Sequence, residues 1–232
     1  MMRVAFAVLR LVVAGAIVAA IAGQLVTSLG YWREVAGITD PTVQLVNFFS
    51  FFTIESNVLA VVVLVAGAAL LLARRGADPR WFLVLRLCVV TYMVTTGVVY
   101  NLLLRGIPLP QGSTLPWSNE ILHVVAPAWL LLDWLLAPGR SRLRWRSVWI
   151  IVVFPIVWAA YTLVRGPLTQ DDVQHRPYWY PYPFLDPNVA PEGYWSVAFY
   201  IVLIAAVIGL TGLGAVWVSR RAPRRATRPA RA

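Results

Sequence analysis

The stretch VLAVVVLVAGAALLLA, residues 58–73, contains only apolar residues and one glycine. An α-helix needs roughly 20 mainly apolar residues to cross the hydrocarbon core of a bilayer, which is about 30 Å thick. With the apolar residues before it, this stretch is long enough, and five further runs of the chain are of similar length. We number the six predicted spans in chain order. They are Val4–Leu29, Val43–Ala73, Trp81–Leu104, Trp117–Ala137, Ser147–Val164 and Tyr194–Ser219.

The composition of the chain is that of a membrane protein. Of its 232 residues 59% are hydrophobic and 13% are charged, whereas about 25% of the residues of a soluble domain are charged. The high aromatic content excludes a disordered chain. We therefore predict an all-α, polytopic membrane helix bundle over residues 1–219, followed by a basic, disordered tail over residues 220–232. Ala20-Ile21-Ala22 resembles a signal-peptide cleavage site, but the apolar run continues to Leu29, so we expect span 1 to be retained.

The net charge of +10 indicates how the bundle is oriented. Arginines near the ends of membrane spans concentrate on the cytoplasmic side. Here they cluster in the connections 74–80 and 140–146 and in the tail. We therefore predict that both termini are cytoplasmic and that the chain is a multi-pass protein of the cell (plasma) membrane. We expect the tail to contact anionic lipid, and we expect no nucleic-acid partner.

Polar side chains inside a span cost free energy, so each of them marks a candidate functional site. At about 1.5 Å per residue, Thr53 lies roughly 15 Å below the outer end of span 2, and His123 roughly 9 Å below that of span 4. A later start of span 2 would bring the two to one depth, so we predict that they meet. Neutral histidine can take the proton of a hydroxyl while a neighbour orients the ring. The neighbouring polar candidates are Glu55, Asn57, Tyr100, Asn119 and Glu120.

Three further charged residues lie inside spans. Asp133 and Arg86 are both near cytoplasmic span ends, and we predict that they form a structural ion pair. Arg10 lies near the cytoplasmic end of span 1, where a long side chain can extend to the membrane surface, so we predict that it snorkels.

The sequence favours neither a metal nor a cofactor. Glu120-x-x-His123 matches half of a di-iron carboxylate pattern, but the other histidine, His175, lies outside the spans. Cys88 is the single cysteine, which excludes an internal disulfide and a cysteine-based metal site.

The connection between spans 5 and 6 contains the segment PYWYPYPF, residues 177–184. Prolines restrict the backbone and block a regular helix, and Tyr and Trp favour the membrane interface. Two interpretations stay open, which are an interfacial aromatic belt and a semi-rigid lid over a cavity at the outer face. The candidate lid residues are Tyr180, Tyr182 and Phe184.

Three motifs together resemble a known family. They are FFTIESN (residues 51–57), HVVAP (residues 123–127) and YPYPFLD (residues 180–186). The chain is similar, roughly over residues 3–219, to the bacterial branch of the FAR-17a / androgen-induced-gene-like family of multi-pass membrane proteins. Its animal members are threonine hydrolases that cleave fatty acid esters of hydroxy fatty acids.

The resemblance implies that Thr53 is an intramembrane nucleophile and His123 its base, acting on a lipid ester whose identity is left open. An oxyanion formed during such a reaction needs hydrogen-bond donors, and Asn57, Asn119 and Tyr100 are candidates by polarity and depth.

A different class of function also fits the pattern. In a transporter or a lipid-binding membrane protein without enzyme activity, Glu55, Glu120 and His123 would form a proton relay or a ligand site. The absence of a visible inverted repeat counts against a transporter. Oligomeric state is not encoded in these patterns.

Overall fold

The computed structural model describes residues 1–107 and 112–221, and over these residues it contains helices and no β-strand. Six helical segments are long and apolar enough to cross a membrane, so the predicted all-α bundle of six membrane-length helices is confirmed. From residue 222 onward the predicted tail lies outside the described residues. The segments are span 1 (Met2–Glu34), span 2 (Phe52–Ala73), span 3 (Arg80–Leu104), span 4 (Pro116–Leu136), span 5 (Trp145–Leu168) and span 6 (Tyr194–Arg220).

Span 3 lies at the centre of the bundle. Of its most apolar stretch 67% is buried, against 17% for span 5 and 22% for span 6. It packs against spans 2, 4 and 6 and against the short helix Val148–Ile151 of span 5. The outward faces of spans 1, 5 and 6 expose large apolar side chains, as expected for surfaces that contact lipid.

Spans 3, 4 and 5 are not continuous α-helices. Span 3 is the helix Arg80–Val99 followed by a π-helical turn, Tyr100–Leu104. Span 4 comprises the helix Pro116–Glu120, the π-helical turn Ile121–Val125 and the helix Ala126–Leu136. Span 5 begins with the 3-10 turn Trp145–Ser147, continues with the helices Val148–Ile151 and Val153–Arg165, and ends with the 3-10 turn Gly166–Leu168.

The irregular turn of span 4 has an identifiable cause in Pro127. In a regular α-helix its ring would clash with the carbonyl of His123, and it has no N–H to donate. The wider π-helical turn accommodates both. Gly97 of span 3 packs against this turn, since a Cβ there would lie 3.2 Å from the His123 carbonyl oxygen and 3.0 Å from Cβ of Pro127. The turn therefore fixes how His123 faces the centre of the bundle.

The prediction of a single helix over Val43–Ala73 is wrong, because the helix is interrupted at Ser50. A short helix, Thr42–Phe49, ends there, and span 2 begins anew at Phe52. The backbone carbonyl of Ser50, left free by the break, accepts a hydrogen bond of 3.0 Å from the indole N–H of Trp158 in span 5. Thr53 consequently lies in the first turn of span 2 and not ten residues into a longer helix.

A cluster of buried charges joins spans 1, 3 and 4. The Asp133 carboxylate accepts two hydrogen bonds from Arg10, at 2.8 and 3.0 Å, and one from Arg86, at 3.0 Å. Arg86 also donates to Asp78 at 2.6 Å. The predicted pair of Asp133 and Arg86 is confirmed, but the prediction for Arg10 is wrong, because Arg10 is only 1% exposed. Gly67 makes room for it, since a Cβ there would lie 2.6 Å from Nη1 of Arg10.

Contacts between connections define one end of the bundle, which we call the arginine end. Arg3 donates to the carbonyl of Gly76 at 3.4 Å. The N–H of Asp78 donates to the carbonyl of Gly139 at 2.8 Å. Arg220 donates to a carbonyl of the connection between spans 4 and 5 at 3.1 Å. The long connection 169–193 lies at the opposite end, which we call the loop end. That the arginine end faces the cytoplasm stays a prediction.

Replacing Asp133 tests the buried cluster. Because Asp133→Asn leaves two buried guanidinium groups without their shared carboxylate, we expect it to destabilise the folded protein by about 3–5 kcal/mol, measured by thermal unfolding in detergent. Glu120→Gln is the matched control, since it removes an ion pair with Arg105 in which both side chains are 47% exposed. Such a pair contributes about 0–1 kcal/mol. Equal effects of the two substitutions would contradict a structural role for the cluster.

The predicted orientation is open to cysteine labelling. Ala77→Cys at the arginine end and Glu192→Cys at the loop end are both exposed positions, and the native Cys88 is buried. We expect a membrane-impermeant maleimide added to intact cells to label the Glu192→Cys variant and to leave the Ala77→Cys variant unlabelled until the membrane is permeabilised. The reverse pattern would refute the prediction that both termini are cytoplasmic.

Candidate functional site

Thr53 and His123 meet at the loop end of the bundle. The Thr53 hydroxyl oxygen Oγ1 lies 3.2 Å from Nε2 of His123. Thr53 stands in the first turn of span 2 and His123 in the π-helical turn of span 4. Each residue is 7% exposed, so water competes little for this hydrogen bond. The expected contact between the two side chains is therefore present.

The hydrogen-bond partner of the second ring nitrogen determines the tautomer of His123. Nδ1 lies 2.9 Å from the backbone carbonyl oxygen of Asn119, and because a carbonyl only accepts, Nδ1 must carry the hydrogen. In the neutral ring Nε2 is then an acceptor, and the Thr53 hydroxyl donates to it. The Tyr100 ring stacks on the imidazole, with ring centroids 4.0 Å apart. The ring of His123 is thus held with its unprotonated nitrogen facing Thr53.

Tyr182 is the third member of the site. Its hydroxyl oxygen lies 3.2 Å from Oγ1 of Thr53 and accepts the backbone N–H of Thr53 at 3.3 Å. Since the Thr53 hydroxyl donates to His123, the Tyr182 hydroxyl donates to Thr53. Burial raises the pKa of Tyr182 to about 12, so the phenol stays protonated at neutral pH and remains a hydrogen-bond donor. Sequence reasoning gave Tyr182 only the role of a lid.

The three candidate oxyanion donors occupy other positions. The Asn57 amide donates to the Thr53 carbonyl of its own helix at 2.9 Å and to the Leu122 carbonyl of span 4 at 3.2 Å, so both of its hydrogens are already engaged. The Asn119 amide donates to the Tyr100 hydroxyl. This bond holds the ring that stacks on His123. In this arrangement Asn57, Asn119 and Tyr100 support the site, and Tyr182 is the donor that touches Thr53.

The two glutamates do not join His123. Glu120 binds Arg105 through both carboxylate oxygens, at 2.9 and 3.2 Å, and it is the backbone of Asn119 that orients the ring. Glu55 is two residues from Thr53, on a different face of the helix. Among the described residues no hydrogen bond connects Glu55, Glu120 and His123. The contacts that a proton relay through these three side chains would need are therefore missing.

A cavity of about 190 Å³ leads from the site to the side of the bundle. Thr53 and Tyr182 lie at its inner end, and its walls, drawn from spans 2, 3, 5 and 6, are largely apolar. At the other end it is lined by Ile156 and Ala205, which are exposed. There the helix Val153–Arg165 makes few contacts with span 6. The cavity therefore opens laterally, on a surface that would contact lipid.

A second, smaller cavity of about 40 Å³ touches the opposite side of Thr53. His123 and Asn119 border it, as do Gln24 of span 1 and Ser118 of span 4. Most of these side chains form hydrogen bonds, in contrast to the walls of the larger cavity. The site thus lies between two cavities, a larger one with almost no polar wall and a smaller one whose wall includes several hydrogen-bonding side chains.

The aromatic segment 177–184 folds over the site. Trp179, Tyr180 and Tyr182 are each 5% exposed or less, so they pack into the bundle and do not form an interfacial belt. Tyr180 packs against Gly166, where a Cβ would overlap its ring. Phe184 stacks on Tyr182 with centroids 5.2 Å apart and lines the larger cavity. The segment therefore closes the loop end above Thr53.

Sequence reasoning missed two contributors to the site. One is the Tyr182 hydroxyl, whose only signal was its place in a proline-rich aromatic motif. The other is Gln24, which donates to the Ser113 carbonyl at 2.8 Å and accepts the Leu115 N–H at 2.8 Å. These bonds fix the start of span 4 against span 1.

Comparisons of the chain with protein-family models, with curated proteins and with solved structures found no match. The function is therefore inferred from the residues of the site.

The tautomer of His123 is directly measurable, because the chain has only two histidines. With ¹⁵N-labelled imidazole rings, we expect NMR to show a protonated Nδ1 and an unprotonated Nε2 for His123, since the Asn119 carbonyl fixes the hydrogen on Nδ1. His175→Gln removes the other histidine and assigns the signals. A protonated Nε2 in the neutral ring would contradict a Thr53 hydroxyl that donates to His123.

Proposed function

We propose that this chain is an intramembrane lipid-ester hydrolase in which Thr53 is the nucleophile and His123 the general base. The observation that carries the proposal is the 3.2 Å contact between the Thr53 hydroxyl and Nε2 of His123, at the inner end of a laterally open apolar cavity. A nucleophile, a base and a group that orients the base are the parts that covalent catalysis requires. The resemblance to the androgen-induced-gene-like family, itself a proposal, points to the same chemistry.

In the first step the ester reaches Thr53 through the larger cavity with its acyl chain along the apolar walls. Nε2 of His123 takes the hydroxyl proton while Oγ1 of Thr53 attacks the carbonyl carbon. The imidazolium that forms keeps its Nδ1–H on the carbonyl oxygen of Asn119, which stabilises the added charge. The ester bond then breaks, His123 gives its proton to the leaving alcohol, and the acyl group remains on Thr53.

The negative charge that develops on the carbonyl oxygen needs donors placed beforehand. Tyr182 is the donor within reach of Thr53, and its hydrogen can move from Oγ1 to the developing oxyanion. Because span 2 begins at Phe52, the first N–H groups of this helix have no partner within it. They also give its start a partial positive charge, which adds to the stabilisation.

The rival function, a transporter or lipid-binding protein without enzyme activity, has less support. Its relay of Glu55, Glu120 and His123 would have to form in a different arrangement, with Glu120 released from Arg105. The proposed hydrolase needs only the existing contacts of Thr53 with His123 and Tyr182.

We further propose that the enzyme acts in the cell (plasma) membrane with its loop end on the outer side. The substrate would then come from the membrane itself, and the water from the outer face. The basic tail would contact anionic lipid at the cytoplasmic surface.

Active-site labelling combined with ester turnover tests the hydrolase. We expect the detergent-purified protein to form a fluorophosphonate adduct on Thr53 and to hydrolyse members of a lipid-ester panel. Thr53→Ala and His123→Ala should abolish both. Tyr182→Phe should lower kcat by about 10²–10³-fold with little change in KM, because a donor to the oxyanion acts mainly in the transition state.

Thr27→Ala is the matched control, since among the described residues this membrane threonine bonds only the Gly23 carbonyl of its own helix, and it should keep wild-type activity. A folded wild-type protein without an adduct and without turnover on any ester would refute the proposed function.

A further inference from the structure

The two cavities share only a narrow part of their walls. Thr53 and Tyr182 line both of them. Of the lining residues that the structure describes, His123 and Asn119 border the smaller cavity and not the larger one. An acyl group on Thr53 would therefore have its chain on one side and the general base on the other.

The smaller cavity has the size to hold water, and its largely apolar wall includes several hydrogen-bonding side chains. Its volume of about 40 Å³ exceeds the roughly 10–15 Å³ that a single water molecule requires. A buried water also needs two to four hydrogen-bond partners, and the polar side chains of Gln24, Ser118 and Asn119 line the space beside four apolar ones. At its outer edge the cavity is lined by Thr114, an exposed residue of the segment that precedes span 4.

We propose that this smaller cavity holds the water that hydrolyses the acyl group on Thr53, so that the acyl chain and the attacking water occupy opposite sides of the site. The inference rests on the proposed function and adds a site for the second reactant. Within the segment 113–115 Thr114 lines this cavity and its two neighbours do not, and Gln24 bonds only the backbone of those neighbours among the described residues of the segment.

The second half of the reaction then balances as follows. Nε2 of His123, which has given its proton to the leaving alcohol, takes a proton from a water in the smaller cavity. The water oxygen bonds to the carbonyl carbon. The bond between that carbon and Oγ1 of Thr53 breaks, and His123 returns the proton to Oγ1. The products are the free acid and the original hydroxyl of Thr53.

Filling each cavity separately tests this division. The probe is p-nitrophenyl octanoate with the full-length protein in detergent, and the readouts are the burst of p-nitrophenol and the intact mass of octanoyl-Thr53 after acid quench. Thr114→Phe covers the outer edge of the smaller cavity, and Ile54→Phe fills it from span 2. Ser113→Phe is the matched control beside Thr114, and Ala205→Trp fills the larger cavity.

We expect both variants of the smaller cavity to keep the rate and size of the burst and to accumulate octanoyl-Thr53. Their steady-state turnover should fall about tenfold or more, because His123 would have no positioned water to deprotonate. Ala205→Trp should slow the burst without accumulation, and Ser113→Phe should behave as wild type. An unchanged burst shows that a variant is folded. This check matters most for Ile54→Phe.

A wild-type ratio of burst to steady-state turnover in both Thr114→Phe and Ile54→Phe would overturn the inference while leaving the hydrolase intact. Absence of any octanoyl-Thr53 in the wild type, with turnover equal to that of Thr53→Ala, would overturn the hydrolase and the inference with it.

Discussion

The carboxylate of Asp133, shared by Arg10 and Arg86, is the interaction on which the arrangement of the bundle depends. In a lipid environment no water is available to hydrogen-bond a buried guanidinium group. An unpaired guanidinium there therefore costs a large free energy. Three spans are therefore held at fixed heights relative to one another. Span 4 carries Asp133 near one end and His123 nearer the other. Fixing the position of Asp133 therefore limits where His123 can lie.

The same shortage of water explains why the helices break where they do. A carbonyl freed inside the bundle must find a donor, and two of the breaks described above have one. The indole N–H of Trp158 donates to the carbonyl of Ser50. Pro155 cannot donate to the carbonyl of Ile151, which accepts the Tyr92 hydroxyl at 2.8 Å instead. Side chains of neighbouring spans thus make the short first turn at Thr53 possible.

The spans and the meeting of Thr53 with His123 could be predicted from sequence, because bilayer thickness fixes helix length and rare polar residues attract attention. Tyr182 could not, since it comes from a segment without periodic structure and lies 129 positions from Thr53. The break at Ser50 has no proline or glycine to signal it, and its partner is in span 5. Arg10 finds its carboxylate 123 positions away, beyond the reach of any local rule.

The start of span 2 at Phe52 places Thr53 one residue from the end of a membrane helix. For the proposed hydrolase, the ester carbonyl would therefore meet Thr53 in the half of the bundle nearer the loop end. Lipids of the leaflet at that end would present an ester there directly, whereas those of the other leaflet would first have to cross the bilayer. The position of one helix start would thus give the proposed enzyme a preference for one leaflet.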